Sequence, residues 1–339
     1  MTQPTSVNMT FDTSLVDLNS SFSTTESDPS DLGVSNPMAS TIKTPTLQQH
    51  PFEKEQSQET PKQSQATTLA TGIVSPPKVS SSVQSMSTQD AYDQWAAVYD
   101  SDGNMLQSVD DFELATLLPE LLSHVLYTSS TPSLKLLDLG CGTGRNTAKL
   151  LSHIWPQNRS INITALDFSK GMLDIAAQKL CPLAAQNKTL TLRLDQCDCF
   201  PTVSNSSASP FPVVHGLQPS DAVISTLVLE HVPLADYFST LVTLVSQNGH
   251  ALVTNMHSEM GRVSQAGFIN EHGVKVRGQS FAHTPEETVA EAQRAGFEVV
   301  SLRERKVEES DVESGAVGKR GLKWVGMHVW YGVLLRKVG

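Results

Sequence analysis

The sequence predicts an α/β fold with a doubly wound, mostly parallel sheet of seven strands and helices on both faces. Short apolar runs alternate with helix-like segments from about residue 134 onward, at the spacing of strand–helix–strand units. The first run ends in a glycine cluster, at the kind of strand end where open parallel sheets bind ligands. The last two runs have no obvious helix between them, which predicts an antiparallel strand at one edge.

Residues 1–88 differ in composition from the rest of the chain. They contain 31 Ser or Thr, 8 Pro and only three aromatic residues, Phe11, Phe22 and Phe52. Such a segment buries too little apolar surface to offset the entropy lost on ordering. The sequence therefore predicts a long disordered tail over residues 1–88 and one folded domain over residues 89–339.

Helical periodicity and strand-like runs locate the elements of this domain. The first predicted helix carries Tyr92, Trp95 and Tyr99 on one stripe. Ser169 is placed as the N-cap of the fourth helix and Thr284 as that of the sixth, and Gly249 is expected to end the fifth. The predicted helices cover residues 90–99, 110–126, 145–155, 170–180, 235–246 and 285–295. The predicted strands cover residues 134–139, 161–166, 189–194, 222–226, 250–254, 297–302 and 323–335.

Charge and composition exclude several functional classes. The 24 Lys and Arg against 35 Asp and Glu give a net charge of −11, opposite to the basic surplus of nucleic-acid binders. No apolar run is long enough to span a membrane, and no basic segment followed by an apolar one marks a secretory signal. Cys197 and Cys199 lack the spacing and second ligand pair of a zinc site. We expect a cytoplasmic protein without a nucleic-acid, membrane or metal partner.

The segment from Asp138 to Gly144 carries the chemical signal. Gly140, Gly142 and Gly144 allow a tight turn and let a ligand approach the backbone closely. A dinucleotide site has G-x-G-x-x-G, whereas this turn has G-x-G-x-G and is preceded by Asp138. The carboxylate would repel a phosphate and attract an ammonium group. The turn therefore favours a zwitterionic ligand without phosphate and argues against an NAD-dependent oxidoreductase.

This segment resembles motif I of the class I S-adenosylmethionine-dependent methyltransferases. Asp167 and Phe168 resemble the second motif of the family, in which an acid accepts from both ribose hydroxyls. Asp198 resembles the acid of the third motif, which accepts from the adenine amino group, although Asp195 lies close enough to take its place. Residues 221–232 resemble the fourth strand and its exit. The resemblance implies a Rossmann-like fold and S-adenosylmethionine as cofactor.

A narrower likeness concerns the C-terminal part of the domain. Residues 276–284, 295–297 and 319–326 resemble fungal methyltransferases of small-molecule metabolism, some of them in secondary-metabolite clusters. The likeness implies O- or N-methylation of a small-molecule acceptor. The alternative is a catalytically silent methyltransferase fold that serves as a binding or regulatory module. The sequence leaves the oligomeric state and the acceptor open.

Two groups of residues have candidate roles in the reaction. Tyr92 and Tyr99 would cover the sulfonium with their aromatic faces as part of a helical lid, or would only face the core of their helix. His231 follows strand four at the cleft, where a base would remove a proton from the acceptor. His257 and His283 lie near other predicted strand or loop ends and are alternative bases. His231 and Glu230 could instead only brace the loop.

Overall fold

A computed structural model of the chain describes residues 83–265, 267–270, 272 and 274–339. The predicted disordered tail lies outside these residues up to residue 82. Its last six residues, 83–88, are described and have defined structure: they contain a short strand, and Ser87 caps the first helix. The composition of residues 1–88 gave no sign of this boundary, because three residues are too few to show a periodicity.

Helices and strands alternate along most of the described chain. Short 3-10 helices occupy Ala96–Val98, Leu229–His231 and Lys319–Trp324. The strands are β1 (Val83–Ser85), β2 (Ser133–Leu139), β3 (Ser160–Asp167), β4 (Leu190–Gln196), β5 (Ser220–Thr226), β6 (Val245–Met256), β7 (Gly267–Ile269), β8 (Lys275–Arg277), β9 (Phe297–Lys306) and β10 (His328–Lys337). The helices are α1 (Thr88–Trp95), α2 (Met105–Thr128), α3 (Arg145–Ser152), α4 (Lys170–Ala184), α5 (Pro201–Ser204), α6 (Leu234–Leu244), α7 (Ser258–Val263), α8 (Pro285–Arg294) and α9 (Glu309–Glu313).

Seven strands form the main sheet in the order β4-β3-β2-β5-β6-β10-β9. Strands β2 to β6 of this sheet pair in parallel, and β10 pairs antiparallel with both β6 and β9. The antiparallel strand is thus next to the edge, and β9 is the edge strand itself. The strand order reverses between β2 and β5, and this reversal places the crevice of the fold at their carboxyl ends.

Local sequence signals set several element ends as predicted. The Ser169 hydroxyl accepts from the Met172 N–H and caps α4, and Thr284 forms a capping box with Glu287 at the start of α8. Gly249, however, does not end a helix: α6 ends at Leu244, and Gly249 lies within β6. A Cβ at Gly249 would lie 3.0 Å from the Asp221 carbonyl oxygen. The lack of a side chain at Gly249 therefore lets β6 lie close to β5 at this position.

Three differences concern segments without strong periodicity. β10 begins at His328, five residues after the predicted start, because residues 319–324 form a 3-10 helix. The connection from β9 to β10 contains α9, where no helix was expected. Strands β1, β8 and β7 form a second, three-stranded sheet in that order, with β1 parallel to β8. No helix among the described residues is long and apolar enough to cross a membrane.

Candidate active site

A cavity of about 440 Å³ lies at the carboxyl ends of the central strands, where the strand order reverses. The loops that follow β2, β3, β4 and β5 form most of its wall, and residues 86–89 with the inner face of α1 close one side. The volume falls within the range of small-ligand sites. The cavity thus lies where the sequence predicted a ligand, and a segment that includes the end of the predicted tail helps to enclose it.

The three motif glycines all have positive φ but serve different contacts. A Cβ at Gly140 would lie 2.5 Å from the Val228 side chain, and one at Gly144 would lie 2.6 Å from the Leu180 side chain. A Cβ at Gly142 would meet nothing within 4 Å. Gly140 and Gly142 line the cavity, whereas Gly144 faces α4. Gly144 therefore permits helix packing, and Gly142 keeps space open for a ligand.

Asp138 does not line the cavity. Its side chain is buried, and its Oδ2 accepts from the Thr147 hydroxyl at 2.5 Å, so that β2 is tied to α3. Burial raises the pKa of the Asp138 carboxyl to about 6. The expectation that Asp138 attracts the ammonium group of a ligand is therefore not supported, because the side chain points into the helix that follows the turn.

Asp167 lies at the end of β3 and lines the cavity, as the resemblance implies. Its Oδ2 accepts from the Gly142 N–H at 2.7 Å, and its Oδ1 accepts from the Ser169 N–H at 2.8 Å. Burial raises the pKa of this carboxyl to about 6. A carboxylate has about four acceptor positions, so two remain for hydroxyl donors. Asp167 thus holds the glycine turn in place and can still bind a ligand.

Phe168 and Asp198 also line the cavity. The Phe168 carbonyl accepts from the Gln89 side-chain amide at 3.0 Å, which joins α1 to the end of β3. Asp198 accepts from the Phe200 N–H and the Ser204 hydroxyl, so its position is fixed by α5. Asp195, the alternative by register, does not line the cavity. Of the two acids that the sequence left open, Asp198 therefore lines the cavity and Asp195 does not.

The aromatic stripe predicted over residues 90–99 spans α1 and the 3-10 helix after it, and it divides between cavity and core. Tyr92 and Tyr99 line the cavity, and Tyr92 lies 6.4 Å from Phe168 between ring centroids. Trp95 is buried and stacks on Phe268 of the small sheet at 5.5 Å. The stripe therefore contains both core-facing and cavity-lining residues. The sequence could not separate them, since a helical stripe does not show which neighbour each ring meets.

His231 lies in the 3-10 helix after β5 and reaches the cavity wall. Its Nδ1 lies 2.8 Å from the Gln279 carbonyl oxygen, and its Nε2 lies 2.8 Å from the Tyr92 hydroxyl. A carbonyl can only accept, so Nδ1 carries the hydrogen, and the Nε2 of a neutral ring accepts from Tyr92. Burial lowers the pKa of His231, so the ring is neutral at pH 7. Gln279 contacts His231 through its backbone carbonyl, so the identity of its side chain could not reveal this contact in the sequence.

Glu230, next to His231, is a buried carboxyl group with few polar contacts that could offset the cost of burying a charge. It is 3% exposed, its Oε1 lies 3.4 Å from the His231 Nε2, and its Oε2 has no hydrogen-bond partner. Burial raises the pKa of Glu230 to about 8. The group is therefore mostly protonated at pH 7, and its ionisation opposes folding.

The pH dependence of stability tests this assignment. Between the ordinary pKa of 4.5 and about 8, the folded state binds a proton at Glu230 that the unfolded state has lost. The free energy of unfolding therefore falls as pH rises through this window, by roughly 3–5 kcal/mol in total. We expect Glu230→Gln to gain stability relative to the original protein between pH 5 and pH 8, as measured by urea unfolding. Parallel pH curves for the two proteins would contradict the raised pKa.

The two alternative histidines lie away from the cavity wall. His257 caps α7, its Nδ1 accepting from the Glu259 N–H, and its Nε2 lies 3.1 Å from Glu304. His283 Nε2 donates to the Val232 carbonyl at 2.9 Å. Neither ring lines the cavity. The geometry therefore favours His231 over both as a base, and gives His257 and His283 structural contacts.

Arg145 begins α3 and lines the cavity. Its guanidinium donates to Asp110 at 2.5 Å and to Asp111 at 2.6 Å. The buried Asp110 also accepts from the Thr254 hydroxyl at 2.6 Å and the Trp330 Nε1–H at 2.8 Å. This arrangement joins α2, α3, β6 and β10 behind the cavity. No group of three potential metal ligands occurs among the residues that the structure describes.

Comparison with known proteins places the chain in a family. A family model described as a methyltransferase domain matches residues 137–251. An uncharacterized methyltransferase of Emericella nidulans is 40% identical over 266 residues, which cover 74% of this chain and 91% of that protein.

Solved structures of methyltransferases are also similar at low sequence identity. One from Clostridium acetobutylicum has 14% identity and a TM-score of 0.48, covering 73% of this chain and 99% of that chain. Another, from Mesorhizobium loti, has 18% identity and a TM-score of 0.42, covering 64% and 97%. Both are described as S-adenosylmethionine-dependent methyltransferases. The family assignment itself depends on the 40% identical relative, matched over nine-tenths of its length, together with the family model and the motif residues at the cavity: the chain belongs to the class I S-adenosylmethionine-dependent methyltransferases.

Proposed function

We propose that this methyltransferase acts on an oxygen or nitrogen atom of a small molecule that is not an anion, in the cytoplasm and in secondary metabolism. The observation that carries the acceptor class is the charge of the cavity wall. Arg145 is its one residue with a permanent positive charge among the described residues, and Asp110 and Asp111 already pair with it. A nucleic acid or another polyanion therefore finds no free cation there. The narrower fungal likeness of residues 276–284 supports the metabolic setting.

The cavity residues fit S-adenosylmethionine, the cofactor of the family. The open space at Gly142 can admit the ligand beside the turn, and Asp167 has acceptor positions left for the ribose hydroxyls. Asp198 is held in the cavity wall, where it can accept from the adenine amino group. Tyr92 and Tyr99 present aromatic rings to the cavity, where they can attract a sulfonium. The cofactor supplies a methyl group that the sulfonium already activates. The protein therefore contributes mainly alignment, which can supply about 7–11 kcal/mol.

His231 is the proposed general base for acceptors that carry a proton until attack. Its ring is neutral at pH 7, and its Nδ1–H donates to the Gln279 carbonyl. Its Nε2 accepts from the hydroxyl of Tyr92, which lines the cavity. An imidazole held in one tautomer has its basic lone pair in a fixed direction, as proton removal requires. Acceptors without such a proton need only the alignment.

Transfer of a labelled methyl group tests the acceptor class. The purified protein is incubated with S-adenosylmethionine labelled in its methyl group and with a fungal extract divided into small molecules, protein and nucleic acid. We expect label in the small-molecule fraction, and 13C NMR of the product distinguishes an O-methyl from an N-methyl group. Label confined to protein or nucleic acid contradicts the small-molecule acceptor. Absence of turnover despite tight cofactor binding supports the silent binding module instead.

Because Gly142 and Gly144 have different surroundings, we expect their substitution to affect cofactor binding and stability to different extents. Gly142→Val places a branched side chain in open cavity space at a φ of +54°. We expect the variant to lose S-adenosylmethionine binding in calorimetry, with a stability loss of roughly 1–2 kcal/mol from the backbone conformation. Gly144→Val instead drives its side chain into Leu180 and Ala176, so we expect the larger loss in urea unfolding. Cofactor affinity in Gly142→Val equal to that of the original protein would contradict the role of Gly142.

A further inference from the structure

The contact between Tyr92 and His231 joins two parts of the chain that lie 139 residues apart. Tyr92 comes from α1, which encloses the cavity, whereas His231 comes from the 3-10 helix after β5. The Phe281 N–H donates to the Glu230 carbonyl at 2.6 Å and holds the loop of Gln279 against this 3-10 helix. The Gln279 carbonyl therefore sets the tautomer of His231 from one side. The hydroxyl of Tyr92, on α1, makes the contact on the other side of the ring.

Both ring nitrogens of His231 are already engaged in hydrogen bonds. Its Nδ1 carries the hydrogen donated to Gln279, and the one lone pair of the neutral ring, at Nε2, accepts from the Tyr92 hydroxyl. An acceptor molecule in the cavity therefore cannot give its proton to Nε2 directly while this contact exists. It can reach the Tyr92 oxygen, since Tyr92 lines the cavity and a phenol oxygen that donates one bond still has two lone pairs.

We propose that the Tyr92 hydroxyl is a catalytic residue that relays the acceptor proton to His231. This inference rests on the proposed role of His231 as base. The acceptor O–H or N–H bond breaks as its proton binds the Tyr92 oxygen, while the original Tyr92 proton moves to His231 Nε2. The acceptor gains the methyl group, the sulfonium becomes a neutral thioether, and the positive charge ends on the imidazolium. No oxidant, reductant or further reactant is needed.

The surroundings of Tyr92 suit a relay better than a free phenolate. Burial, Tyr99, Glu230 and Asp167 all raise the pKa of the Tyr92 hydroxyl, so it keeps its proton at neutral pH and acts only in a concerted transfer. His231 makes an edge contact with the Tyr92 ring at 5.4 Å between centroids. The position of α1 therefore completes the base as well as the cavity wall.

NMR of the protein without cofactor tests the arrangement independently of turnover. With 15N-labelled histidine at pH 7, we expect neutral His231 to carry its hydrogen on Nδ1. Tyr92→Phe keeps the ring and removes the hydroxyl, so we expect the Nε2 resonance to move toward that of a nitrogen without a hydrogen-bond donor. Tyr127→Phe is the matched control, because Tyr127 is 91% exposed at the end of α2. A hydrogen on Nε2 in the original protein would overturn the relay.

Kinetics with methyl-labelled S-adenosylmethionine and the acceptor that the labelling experiment identifies separate the relay from the base. We expect Tyr92→Phe to lower kcat about 100-fold while S-adenosylmethionine affinity is retained, because the aromatic ring remains. Loss of turnover in His231→Gln together with full turnover in Tyr92→Phe would overturn the relay and leave the base in place. Full turnover in His231→Gln would overturn the base and the relay together.

Discussion

Replacing His231 by Gln is expected to lower kcat by roughly 10²–10⁴-fold for an acceptor that must lose a proton. Gln retains a polar side chain but has no group that accepts a proton near neutral pH. S-adenosylmethionine affinity should stay unchanged, because the contacts of Asp167, Asp198 and Gly142 are made by other loops. Stopped assays with labelled cofactor measure kcat, and calorimetry measures the affinity.

The pH profile gives the same assignment a second readout. Burial lowers the pKa of His231 below its ordinary 6.5, so the acidic limb of kcat should have its midpoint below pH 6.5. The rate falls as pH decreases through this midpoint, because the protonated ring cannot accept another proton. The limb should disappear in His231→Gln and persist in His215→Gln, a control at an exposed histidine. If His231→Gln keeps the acidic limb and loses less than tenfold in rate, His231 is not the base and its contacts are structural.

Asp110→Ala is expected to produce the largest loss of stability, about 3–5 kcal/mol. Asp110 is fully buried and accepts from the Arg145 guanidinium, the Thr254 hydroxyl and the Trp330 Nε1–H. Its removal leaves the guanidinium and two neutral donors without this acceptor inside the protein. Urea unfolding at pH 7 measures the loss.

Asp111→Ala is the matched control for this measurement. Asp111 pairs with the same guanidinium, but its side chain is 45% exposed, and water can replace it. Exposed ion pairs contribute about 0–1 kcal/mol, so the two neighbouring substitutions should differ several-fold in their effect. Equal losses would show that the total charge around Arg145 matters and that burial of Asp110 does not.

The sequence predicted those features that depend on local patterns. Alternating apolar runs predicted the seven strands of the main sheet. Gly142, Asp167 and Asp198, which the sequence predicts to bind the cofactor, all line the cavity. Ser169 and Thr284 marked helix starts through capping, which acts over three residues. Each of these signals comes from neighbours in the chain, and for that reason it can be read without the fold.

Features that depend on distant contacts could not be predicted in the same way. Strands β1, β7 and β8 have three residues each, too few to show alternation, and they pair only because the chain returns to them. The Asp138 side chain points into α3 because Thr147 offers a hydroxyl there. The partners of His231 are a tyrosine 139 residues away and a backbone carbonyl 48 residues away. Sequence patterns contain no signal for such pairs.

The position of β10 between β6 and β9 has a consequence for synthesis on the ribosome. β9 is made before β10, yet in the main sheet it pairs only with β10. A nascent chain that ends before residue 328 therefore exposes an unpaired edge of β6 and a β9 that has no strand partner in the main sheet. Such edges favour pairing with other chains. Translation must pass the last strand before the sheet can close, so a pause before residue 328 leaves the chain open to aggregation and to chaperone binding.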